Sequence, residues 1–91
     1  MQASCEISLY PLNKNYKKVI VDFVQHLKKN KKLVVETNGL STQIFGDYDL
    51  IMNVLKTELK FVFKNNKAAF VFKIMKGART VNKLPKKLLS K

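Results

Sequence analysis

The apolar residues of this chain change period in a set order, and that order constrains the fold more than any other feature. From Ala3 to Tyr10 they alternate: Cys5, Ile7 and Leu9 point one way, and Ser4, Glu6, Ser8 and Tyr10 the other. This is the pattern of a half-buried strand. Pro11 ends it, because proline cannot donate to a ladder. After a turn at Asn13 to Asn15, the residues Tyr16, Val19, Ile20, Phe23 and Leu27 recur at helical spacing, and the helix runs to Lys29. The β-branched run Leu33 to Thr37 reads as a second strand. Asn38-Gly39 is a turn signal. Leu40 to Phe45 then forms the third strand, closed by Gly46. Asp47-Tyr48-Asp49 opens a second helix, since aspartates are good N-caps; its buried stripe is Ile51, Met52, Leu55, Leu59 and Val62 and its end is Asn65-Asn66. Ala68 to Met75 supplies a fourth strand, in which Phe70 and Phe72 are expected to face the core.

The order β-α-β-β-α-β with right-handed crossovers predicts an α+β, ferredoxin-like fold: a four-stranded antiparallel sheet with both helices on one face. Residues 1–76 make up this ligand-binding domain. Residues 77–91 are rich in lysine, contain Pro85 and lack a sustained apolar period, so they read as a basic C-terminal tail. A chain of 91 residues builds only a modest core. A homodimer or homotetramer joined through sheet faces or edges is therefore expected.

The second face of such a sheet has no helix layer, and an uncovered face must bind something, pair with a copy or be polar. If Cys5, Ile7 and Leu9 face the helices, Glu6, Ser8 and Tyr10 face away. On the neighbouring third strand, Leu40 and Ile44 are expected in the core with Thr42 between them, leaving Ser41, Gln43 and Phe45 on the open side. Glu36, Thr37 and Asn38 lie on the adjoining strand and turn. The chain has six acids in all, and two of them, Glu6 and Glu36, fall in these strands. A carboxylate on a central strand is costly unless it is paired or solvated. One reading is a polar pocket for a cationic or amide-like ligand, with Tyr10 or Phe45 stacking on it. The other is a polar surface, or a dimer interface in which Glu6 meets a lysine of a second copy.

At these same segments the chain resembles the YkoF-related, thiamine-binding family. The resemblance is carried by Ile7-Ser8-Leu9-Tyr10-Pro11-Leu12 followed by Tyr16 and a helix, and by Glu36-Thr37-Asn38-Gly39-Leu40-Ser41-Thr42-Gln43-Ile44-Phe45-Gly46-Asp47. It spans about residues 3 to 75 and implies a ferredoxin-like domain that associates through its sheets. It also implies binding of thiamine or its hydroxymethylpyrimidine part, for supply or salvage. Position by position it points to Ser8, Tyr10, Ser41 and Thr42. The open-face argument adds Glu6, Glu36, Asn38 and Gln43. A site shared between tandem domains in two-domain members would here need a second subunit.

The net charge is +12, and among eighteen basic residues only Arg79 is arginine. A nucleic-acid partner is one reading of that charge. Specific phosphate and base recognition favours arginine, however, so a solvated lysine surface is the plainer one. Lys67-Ala68-Ala69-Phe70-Val71-Phe72 superficially resembles the aromatic strand of an RNA-recognition motif, but it falls on the fourth strand and not the third. No stretch approaches the roughly 18–20 apolar residues of a membrane span, and the start lacks the pattern of a secretory signal. With a lone cysteine, Cys5, the expected setting is cytoplasmic. His26, the one histidine, is expected at the surface, and Cys5 in the core. No metal set, phosphate loop or nucleophile triad is visible, so the expectation is a binding protein that is not an enzyme and needs no cofactor beyond its ligand.

Overall fold

A computed structural model describes residues 1–77; all of the expected basic tail but Gly77 lies outside them. The elements are β1 (Gln2–Pro11), α1 (Tyr16–Lys28), β2 (Val34–Thr37), β3 (Thr42–Asp47), α2 (Tyr48–Asn65) and β4 (Ala68–Lys76). The strands form one sheet in the order β2-β3-β1-β4, with every neighbouring pair antiparallel. This is the expected ferredoxin-like α+β architecture, with β1 and β3 at its centre.

The alternation of β1 decides where the core sits. Ala3, Cys5, Ile7 and Leu9 are buried, and they pack with Phe23, Val24 and Leu27 of α1 and Ile51, Leu55 and Val62 of α2. Ile44 of β3 pairs with Cys5 across the ladder and joins the same cluster. Both helices therefore cover one sheet face, since residues of the other parity do not enter this cluster. Each fully buried aliphatic side chain contributes roughly 1.5–3 kcal/mol. Of the two aspartates at the start of α2, Asp47 is the cap: its side chain accepts from the Leu50 N–H at 3.2 Å. Gly46 does not close β3 but lies inside it, and a Cβ there would sit 2.6 Å from Leu33 Cδ2. Leu33 is buried just before β2 begins.

Three expectations need correcting. Leu40 is not a core residue; it is 89% exposed, and β3 starts only at Thr42. The cause is local. Asn38 Oδ1 accepts from the Leu40 N–H at 2.8 Å and the Ser41 N–H at 3.1 Å, so these donors serve an Asx turn and not the ladder. Phe72 has the expected parity, opposite Ile7, yet is 42% exposed. It stands on the edge strand, while Phe70 takes the aromatic packing with Phe23 and Phe63 at centroid distances of 5.3 and 5.4 Å. Phe45 lies on the open face by register, opposite Ser4. It is only 5% exposed, so it offers no free ring for stacking.

Candidate ligand-binding cleft

The structure divides the eight predicted site residues into two groups. Ser8, Tyr10, Asn38, Ser41 and Thr42 line a cleft of about 480 Å³, where the end of β1, the β2–β3 hairpin and the start of α1 meet. This volume lies within the roughly 300–1,000 Å³ of small-molecule pockets. Glu6, Gln43 and Glu36 lie instead in a row across the open face. The ladder pairs Glu36 with Gln43, Gln43 with Glu6, and Glu6 with Lys73 of β4. Ser41 joins the two groups: it lines the cleft while its Oγ donates to Glu6 Oε2 at 3.0 Å.

Three further participants lie outside the eight predicted site residues. Tyr16, expected in the helix stripe, is 48% exposed and forms a cleft wall; Thr37 forms another. Lys73 reaches Glu6 Oε1 at 3.4 Å. The register places it opposite Glu6.

The hydrogen-bond directions give the cleft a definite chemistry. Ser41 Oγ donates to Glu6, Ser8 Oγ donates to the Leu40 carbonyl at 3.4 Å, and Thr37 Oγ1 donates to the Ser41 carbonyl at 3.4 Å. Thr42, buried on the helix side, lies 2.9 Å from Thr37 Oγ1. Either of these two hydroxyls can be the donor in that contact. The Ser8, Thr37 and Ser41 hydroxyls thus each have a protein acceptor within reach, and their oxygens keep lone pairs for an incoming donor. Asn38 has a different task, because its side-chain oxygen holds the turn.

The Ser41 hydroxyl holds the Glu6 carboxyl below its ordinary value, helped by the hydrogen bond and the charge of Lys73. A lowered folded value means that Glu6 favours folding above its unfolded pKa and loses that contribution as pH falls through the folded value. A carboxyl-carbon NMR titration should accordingly give Glu6 a midpoint below 4.5. Ser41→Ala and Lys73→Gln should each raise the midpoint; an ordinary midpoint in the parent chain contradicts this geometry. Burial, with the nearby Glu6 charge adding to it, pushes the Cys5 thiol up to about 11. The thiol is therefore a poor nucleophile. His26 is half-buried rather than freely exposed. Its ring stacks on Phe61 with centroids 4.7 Å apart, and its Nδ1 lies 3.1 Å from Glu58 Oε1, away from the cleft lining. Among the described residues, no three His, Cys, Asp or Glu side chains come together as a metal site would require.

The model of the YKOF-related family matches residues 2–83 of the chain. The chain belongs to the YKOF-related family. Its fold recurs in solved structures. A protein of Streptococcus pneumoniae is 22% identical over 99% of this chain and 100% of its own, with a TM-score of 0.78. A hypothetical protein of Methanocaldococcus jannascii is 27% identical over 97% and 93%, with a TM-score of 0.74. A Thermotoga maritima protein, provisionally assigned to thiamine biosynthesis or salvage, is 15% identical over 97% and 99%, with a TM-score of 0.80. No curated protein sequence matches the chain. Among the described residues no helix is long and apolar enough to cross a membrane.

Proposed function

We propose that this YKOF-related chain binds thiamine or its hydroxymethylpyrimidine part, without reacting with it, in the cleft between the β2–β3 hairpin and α1. The observation that carries the reading is the set of cleft hydroxyls, those of Ser8, Thr37 and Ser41, that have protein acceptors within reach of their hydrogens. Such a wall favours a ligand that brings its own N–H donors, and the exocyclic amine of an aminopyrimidine brings two. Tyr10 and Tyr16, each about half exposed on the lining, offer ring faces to a thiazolium cation. Glu6, kept ionised beside Ser41, adds negative charge near the rim of an otherwise basic protein. The thiamine assignment of the Thermotoga maritima neighbour is in keeping with this ligand.

The reading places the protein in thiamine supply or salvage. It works as a homodimer or homotetramer, since exposed Val34, Val71 and Met75 on the open face suit contact with a copy. A cytoplasmic setting suits the buried free thiol. Calorimetric titration with thiamine, and separately with hydroxymethylpyrimidine, should give heat and raise the melting temperature. No heat and no melting shift at millimolar ligand would count decisively against the reading.

A further inference from the structure

The outer stripe of α2 carries a feature that the cleft does not use. Asn53, Lys56, Thr57, Lys60, Phe61 and Lys64 lie three and four residues apart, all exposed, and line a shallow groove of about 620 Å³. The lysines stand at i, i+4 and i+8, roughly 6 Å apart along the axis. Like charges at this spacing oppose each other and destabilise a helix. Among the described residues none of the three has an acidic partner. The groove continues through the shared residues Asn53 and Thr57 into a second one of about 730 Å³, which adds Lys29, Lys31 and Lys32. The carboxylate there, Glu58, has its Oε1 3.1 Å from His26 Nδ1 without a hydrogen bond to it. In the middle of the positive charge, Phe61 is 45% exposed and its ring rests on His26 at 4.7 Å.

A basic groove with an exposed aromatic set within it matches the requirements of an unpaired nucleic-acid strand: phosphates follow the cations and a base stacks on the ring. A membrane surface would instead call for a continuous apolar face, and this stripe carries a single ring. We infer that the outer face of α2, extended by the end of α1, binds single-stranded nucleic acid without sequence preference, at a place separate from the cleft. Lysine rather than arginine suits backbone contact without base readout.

The test is fluorescence anisotropy of the full chain with a labelled oligothymidylate across a potassium chloride series, with polyphosphate as a competitor that has no bases. Binding is expected at low salt. The triple variant Lys56→Gln, Lys60→Gln, Lys64→Gln should reduce the salt slope by about 2, from roughly 0.7 per phosphate contact on a single strand. Lys14→Gln with Lys17→Gln, exposed lysines outside both grooves, should leave the slope unchanged. Phe61→Ala should weaken the oligonucleotide at least about fivefold and leave polyphosphate affinity as it was. No binding at low salt, a slope untouched by the triple variant, equal weakening of both ligands by Phe61→Ala, or tighter binding to phosphatidylserine vesicles than to the oligonucleotide would each overturn the inference.

Discussion

Replacing Ile44 by alanine is expected to destabilise the fold by roughly 2–5 kcal/mol, the largest effect of any single truncation considered. Ile44 is fully buried on β3, one of the two central strands. It pairs with Cys5 on one side and Val35 on the other, and it belongs to the cluster that holds both helices to the sheet. A domain of this size has about 5–15 kcal/mol of stability in all, so a loss near the upper end leaves much of the chain unfolded at 37 °C. Thermal denaturation followed by circular dichroism would show a drop of about 4–8 °C for each kcal/mol. Leu40→Ala, in the same hairpin but 89% exposed, should change the melting temperature little. If the two substitutions cost the same, the assignment of β3 is wrong.

The second large effect concerns the cleft. Tyr10 is 54% exposed on its rim, so Tyr10→Ala should leave stability within about 0.5 kcal/mol, as exposed substitutions do. Thiamine affinity should nevertheless fall about tenfold, in line with the loss of a cation–aromatic contact. Tyr10→Phe keeps the ring and should retain the affinity. Calorimetry on the three proteins separates the outcomes. Equal binding by all three would remove Tyr10 from the site, and a large melting loss in Tyr10→Ala would make its role one of packing.

Sequence pattern reached far into this fold because its central strand is unambiguous. The alternation of Ala3, Cys5, Ile7 and Leu9 against Ser4, Glu6 and Ser8 fixes the face of β1, and its neighbours then have little choice of parity. The readings that failed lie where a side chain overrides the period. Leu40 continues the apolar alternation of β3, but the Asn38 side chain captures its N–H. Phe72 has core parity, but it lacks the cover that Phe23 and Phe63 give Phe70 on the same edge strand. The meeting of Glu6 with Lys73 depends on register between strands far apart in sequence, which periodicity does not encode.

For the site, the eight residues inferred from alternation and resemblance came out as a cleft group and a row on the open face, with Ser41 joining them. No pattern could show this division, because it follows from the gap that α1 leaves beside the hairpin. Tyr16 illustrates the point: its helical spacing marks it as core, yet at the first turn of α1 it lines the cleft. The chemistry of the wall was equally hidden, since hydroxyl direction depends on which acceptors lie within reach. The choice of thiamine over other small amine-bearing heterocycles comes from the family resemblance, with the acceptor-rich wall in support.

The most direct test of the account is an amide NMR titration of the protein with thiamine. Shifts that saturate at Ser8, Tyr10, Thr37, Ser41 and Thr42 are predicted, with the lysine stripe of α2 unmoved. Absence of any shift at millimolar thiamine, or shifts confined to the Glu36–Gln43–Glu6–Lys73 row or to α2, would contradict the cleft as the binding site.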